Sequence, residues 1–140
     1  KECVLSVKEA EEGDIVLPGH VYIAPGDLQM TVTKKGTSMI IHCKPGEKVS
    51  GHCPSVDVLF SSVAEFANES TIGIILTGMG SDGAKGLLAM RQKGAYTIGQ
   101  DEKSSVVYGM PMVAYKVGAV AKQTSLERIS GTLLDYLVKR

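Results

Sequence analysis

The feature that most constrains the fold is a junction near the middle of the chain. The apolar run Ile72-Gly73-Ile74-Ile75-Leu76-Thr77 passes directly into Gly78-Met79-Gly80-Ser81-Asp82-Gly83. A helical period follows from about Asp82 to Lys93, with Ala84, Leu87, Leu88 and Arg91 at i, i+3, i+4 and i+7. Gly94 stands where a helix ends. A short buried strand, a glycine loop and an amphipathic helix make a parallel α/β unit. Open sheets of this class place their sites in loops at the carboxyl ends of the strands.

The flanking segments extend the pattern. Upstream, Ile15–Gly19 leads into an apolar strand over 20–25. Residues 30–33 and 39–42 flank Lys34-Lys35-Gly36-Thr37 as the arms of a hairpin. Residues 45–54 read as loop. Pro54-Ser55-Val56-Asp57 opens a helix whose apolar face is Val56, Leu59, Phe60, Val63, Ala64 and Ala67. Downstream, 96–98 reads as a strand, 112–116 as a short helical piece and 118–121 as a further strand. Ser125 is placed to cap a last helix with Leu126, Ile129, Leu133, Leu134 and Leu137 inward. The expected architecture is a three-layer α/β/α domain, with a mainly parallel sheet and an added β-hairpin.

At 140 residues the chain is one domain or a piece of one. Its 44% apolar content can build a core without staples. Lys plus Arg and Asp plus Glu number 15 each, a balance that speaks against nucleic acid or an anionic membrane as partner. Cys3, Cys43 and Cys53 show no C-x-x-C spacing, so neither zinc nor a disulfide framework is expected. Reduced thiols and a cytoplasmic location are the expectation. No apolar run approaches the ~20 residues of a membrane span. The opening Lys1-Glu2-Cys3-Val4-Leu5 reads like the interior of a longer protein.

The glycine loop supports two functions. Gly78-Met79-Gly80-Ser81-Asp82-Gly83 matches G-x-G-x-x-G, and Asp101 and Glu102 stand where a ribose-binding acid would. Against a dinucleotide site, Asp82 would put a carboxylate where pyrophosphate needs positive potential. Only 57 residues of the 140 follow Gly83, too few for the rest of such a domain. The second reading starts from Asp82 itself. A carboxylate beside free helix N–H groups is stabilised by them and by the macrodipole. That suits the third member of a hydrolytic triad, which orients a histidine and stabilises the imidazolium. The plain alternative is that Asp82 only caps a helix, a role worth about 1 kcal/mol.

Four segments in order then resemble one family. Ile74–Ala84 is similar to the catalytic-acid segment of the chemotaxis protein-glutamate methylesterases (CheB). Residues 16–26, Val-Leu-Pro-Gly-His-Val-Tyr-Ile-Ala-Pro-Gly, resemble that family's upstream segment. Pro54–Phe60 resembles its central helix start, and Ser105–Pro111 its late loop. The resemblance implies an α/β catalytic domain fused behind a receiver domain. It implies hydrolysis of glutamate methyl esters, and in many members deamidation of glutamines, on methyl-accepting chemotaxis receptors. The chemistry implied is a Ser-His-Asp triad without metal or organic cofactor. Asp82 matches the triad aspartate. Thr77, Gly78, Met79, Gly80 and Gly83 match the active-site loop around it, and Met110 is a candidate on the substrate side.

One departure is large. The family's Gly-x-Ser-x-Gly-Gly turn and its Gln-His-x-Pro histidine do not occur in these 140 residues. The chain is therefore expected to be the C-terminal portion of the catalytic domain, incomplete on its N-terminal side and inactive alone. An uncovered sheet edge is expected to make it associate with itself or with the missing part. His20, His42 and His52 read as structural or solvated. A non-catalytic interaction module is the remaining alternative.

Overall fold

The structure, a computed structural model, describes residues 4–139. Its strands are β1 (Ser6–Glu9), β2 (His20–Ile23), β3 (Gln29–Lys35), β4 (Ser38–Lys44), β5 (Ile72–Ile75), β6 (Tyr96–Gln100) and β7 (Lys122–Thr124). Its helices are α1 (Val56–Ala64), α2 (Ala84–Gln92), α3 (Met110–Lys116) and α4 (Ile129–Lys139), the last preceded by a 3-10 turn over Leu126–Arg128. β1 pairs with β2 in parallel, β3 and β4 form the antiparallel hairpin, and β5-β6-β7 form a parallel sheet in that order. The α/β class and the mainly parallel pairing are as expected.

The main core lies between the β5-β6-β7 sheet and helices α1, α2 and α3. Ile75, Leu87, Met90, Ala95, Ala114 and Ala119 are buried there. Two glycines let the layers approach closely. A Cβ on Gly73 of β5 would stand 2.5 Å from Leu87 Cδ1. A Cβ on Gly86 of α2 would stand 2.5 Å from Phe60 Cβ and 3.2 Å from the Asp57 carbonyl oxygen. The helix–helix contact that carries the site therefore depends on a missing side chain. A smaller core, with Ala10, Met30, Ile41 and Cys43 buried, lies under the hairpin. α1 closes β3 through the Val32 N–H, which donates to Ser62 Oγ at 2.9 Å.

Several local features differ from the expectation. β1 was not anticipated; its four residues are short and mostly exposed, so no apolar alternation marks them. The strand expected over 20–25 starts at His20 as read and ends at Ile23, and Ile15 makes only an isolated bridge to Ile40. The strand expected over 118–121 lies at Lys122–Thr124, because Ala119 and Val120 are spent on packing in the turn before it. Ser125 precedes the 3-10 turn without a side-chain cap bond. Of the last helix's proposed inward row, Ile129 is buried, but Leu126, Leu134 and Leu137 are exposed. That helix is held by the stack of Tyr136 on Tyr96, centroids 4.2 Å apart, and by Tyr136 Oη–H donating to the Glu69 carbonyl.

Candidate active site

Asp82 sits between the glycine loop and α2, but its carboxylate does not cap α2. Gly83 is the N-cap of that helix, at φ +97°, and offers no side chain. The Asp82 carboxylate instead crosses to the N-terminus of α1. Oδ1 accepts from Ser55 Oγ–H at 2.7 Å and from Asp57 N–H at 3.0 Å. Oδ2 accepts from Val56 N–H at 2.7 Å. Asp82 is 2% exposed. A buried carboxylate needs such donors, because an uncompensated charge there costs several kcal/mol. The helix N-terminus that the sequence assigned to Asp82 exists, but it belongs to the upstream helix.

The arrangement is reciprocal. Asp57, in the first turn of α1, accepts the Gly86 N–H of α2 on its own carboxylate at 2.8 Å. Each helix thus satisfies an N-terminal donor with an acid carried by the other segment. Two carboxylates and close packing leave no place for a phosphate here. A Cβ on Gly83 would lie 3.0 Å from both Ile75 and Val56. The dinucleotide alternative fails on this geometry. Asp101 fails it too, since its Oδ1 accepts the Ser104 hydroxyl at 2.6 Å and the Ser104 N–H at 3.0 Å. Those two bonds, the hydroxyl first, hold the Asp101 carboxyl below its ordinary range.

The loop beside Asp82 is fastened to the loop before α3. Gly78 N–H donates to the Val107 carbonyl, and the Gly78 carbonyl accepts from the N–H groups of Gly109 and Met110. Thr77 Oγ1 bonds Val107 twice, donating to its carbonyl at 3.1 Å and accepting its N–H at 2.9 Å. Gly109 is required by this approach, since a Cβ there would stand 2.7 Å from the Gly78 carbonyl oxygen. Beneath lies Gln100, fully buried. Its Oε1 accepts Thr77 N–H at 2.8 Å and its Nε2 donates to the Ser104 carbonyl at 2.8 Å. Met79 projects outward, 77% exposed. Met110 packs against the main core with its sulfur under Gly78.

Of the residues singled out in the sequence, Asp82, Thr77, Gly78, Met79, Gly80 and Gly83 form one continuous loop, with Met110 beneath it. Ser55, Asp57 and Gln100 were missed as members of the site. The signal for Ser55 and Asp57 was present, a Ser-x-Asp helix opening, but nothing local shows which acid it serves. None of the three histidines reaches Asp82. His20 Nδ1 pairs with the Pro18 carbonyl, and His42 bridges Glu12 and Thr33. Among the described residues no group of acids, histidines and cysteines could hold a metal ion. An open groove of about 640 Å3 lies elsewhere, between Tyr96, Lys122 and α4, and shares no residue with this site.

A buried carboxylate fixed by three donors beside a glycine loop, on a parallel sheet, defines an α/β domain with an acid held at the carboxyl end of a strand. The CheB methylesterase family model matches residues 1–133, and the chain belongs to that family. It is 61% identical over 135 residues to a protein-glutamate methylesterase/protein-glutamine glutaminase 2 of Syntrophomonas wolfei, covering 96% of this chain and 40% of that protein. It is 52% identical over 134 residues to the protein-glutamate methylesterase/protein-glutamine glutaminase of Escherichia coli K12, covering 96% and 38%. The Thermotoga maritima CheB methylesterase catalytic domain superposes with a TM-score of 0.89 at 35% identity, over 94% of this chain and 69% of that one. The chain thus spans about two-fifths of the length of the curated relatives it matches. No helix among the described residues is long and apolar enough to cross a membrane.

Proposed function

We propose that this chain supplies the acid of a Ser-His-Asp triad that hydrolyses glutamate methyl esters, and amides of glutamine, on chemotaxis receptors. The observation that carries the reading is the bonding of Asp82. Three donors fix its carboxylate, and an ionised carboxylate has about four acceptor positions. Oδ1 is filled by two donors, whereas Oδ2 receives one, so Oδ2 keeps a position for the Nδ1–H of a histidine.

In that scheme a serine and a histidine come from outside residues 1–140. The serine oxygen attacks the ester carbonyl carbon while the histidine takes its proton. The histidine returns that proton to the leaving methoxide, releasing methanol, or to the amide nitrogen, releasing ammonia. Water then cleaves the acyl-serine. Asp82 holds the imidazole in the required tautomer and offsets its charge. A receiver domain in the same protein and the receptors themselves are the partners this reading assigns. In that scheme, chain outside residues 1–140 would also cover apolar side chains left open here, among them Val7, Val21, Ile23 and Leu76.

The test is made on the complete protein that contains this chain, by methanol release from methyl-esterified receptor. Asp82→Asn lowers kcat on the order of 10^3-fold or more, with the fold retained by circular dichroism. A variant that keeps near-normal kcat would remove Asp82 from the triad. The 140-residue chain alone shows no turnover, because an orienting acid has nothing to orient.

A further inference from the structure

We infer that Ser55 is a positioning residue for the reaction, acting through Asp82; the inference rests on the proposed role of that acid. Ser55 is 2% exposed and donates its hydroxyl proton to Asp82 Oδ1 at 2.7 Å. The other two donors to Asp82 are backbone N–H groups of α1, which any residue would supply. The Ser55 hydroxyl is the one side-chain donor among the three, so it is the contact the sequence at that position decides. It closes the second acceptor position of Oδ1 and thereby leaves Oδ2 to the histidine.

Ser55 is itself held from both sides. Its N–H donates to Gln29 Oε1 of β3 at 2.8 Å. Gln29 Nε2 in turn donates to the Glu47 carbonyl at 2.8 Å, which ties down the loop leading into α1. Its hydroxyl oxygen accepts the Val58 N–H at 3.4 Å, a long cap bond, while the bond to Asp82 is short. A serine placed only to cap its helix would put its close contact on the helix N–H. Here the close contact is the carboxylate, and the proton points at Asp82. Without it each oxygen keeps one backbone donor, and the carboxylate can tilt about those two bonds away from the angle at which Oδ2 meets an imidazole. Misplacements of this size cost rate and leave substrate binding untouched.

The experiment is a double-mutant cycle on the complete protein, read as kcat and KM in single-turnover and steady-state methanol release. Ser55→Ala lowers kcat at least about tenfold, the size of one hydrogen bond to a charged group, with KM unchanged. Ser55→Thr, which keeps the hydroxyl, restores most of the rate. Ser62→Ala, a hydroxyl of the same helix that serves Leu59 and Val32, leaves kcat unaltered. In an Asp82→Asn background, Ser55→Ala has no further effect on kcat. Melting curves accompany each variant. If Asp82→Asn collapses kcat while Ser55→Ala does not, Ser55 is only a helix cap and the inference is overturned with the triad reading intact. If Ser55→Ala retains its full effect on top of Asp82→Asn, it acts through the fold and the inference is again overturned. If Asp82→Asn itself leaves kcat unchanged, the triad reading falls first.

Discussion

The two halves of the chain hold themselves together by different means. From Ser55 onward the ties that hold the site are inside. Ser55, Asp57, Asp82, Thr97 and Gln100 are all buried, and each bonds to a named backbone or side-chain partner. Before Ser55 the ion pairs lie at the surface. Lys8 meets Asp14 at 2.9 Å, and His42 meets Glu12 at 2.9 Å, with partly open side chains in both pairs. A buried donor left alone pays its whole desolvation cost, whereas an exposed ion pair exchanges protein for water at little net change. The half that carries the candidate site is therefore the half in which a single deletion is expensive.

The largest expected effect is at Asp82. Asp82→Ala strands the Ser55 hydroxyl and the N–H groups of Val56 and Asp57, all at a buried contact between helices. Urea unfolding should show a loss of about 3 kcal/mol or more. A loss below about 1 kcal/mol would mean that water reaches this cluster and that the contrast between the halves is false. Next comes Gly86→Ala. Helix propensity alone favours alanine by about 1 kcal/mol. Against it, the new Cβ would stand 2.5 Å from Phe60 Cβ and 3.2 Å from the backbone oxygen of Asp57 and the nitrogen of Ser61. Overpacking of that kind costs about 1–3 kcal/mol, and part of it falls on rigid backbone, so the net change is a destabilisation. A more stable Gly86→Ala variant would show that α1 and α2 can separate without harm.

The same contrast explains what could be read from the sequence. Segments whose order follows from local period were legible. The run 72–77, the helix over Ala84–Gln92 and the hairpin around Lys34–Thr37 needed only alternation, spacing and turn chemistry. Asp82 was legible as an acid at a helix start. Its actual helix was not, because its three donors lie 25 to 27 positions upstream. A bond across that separation leaves no periodic trace in either segment. Gln100 was invisible for a related reason. It ends an apolar strand as a lone polar residue, and only the folded chain shows Thr77 and Ser104 on its two ends. β7 and α4 were misjudged in the opposite direction. Their apolar residues suggested burial, but Leu134 and Leu137 face outward beside an edge strand of Lys-Gln-Thr.

The smallest effect is expected in the hairpin half, and its pH dependence gives the comparison a sharper edge. Lys8 donates to Asp14, and this bond is the first cause both of a raised Lys8 and of a lowered Asp14 pKa. The signs follow by linkage. A lowered carboxyl contributes stability above its unfolded value of about 3.9 and loses it as pH falls through the folded value. A raised ammonium contributes fully below its unfolded value of about 10.4 and loses that as pH rises through the folded one. The pair therefore acts in full between roughly pH 4 and pH 10 and fades outside that window. Lys8→Met should lower the thermal midpoint slightly at pH 7, near the limit a melting curve resolves, and the difference should shrink progressively as the pH is taken below about 4. Side-chain freedom and solvent screening leave an exposed pair little more than this. A large shift at pH 7, comparable with that of Asp82→Ala, would mean that the β1–β2 pair is braced by its surface charges and that the two halves are stabilised alike.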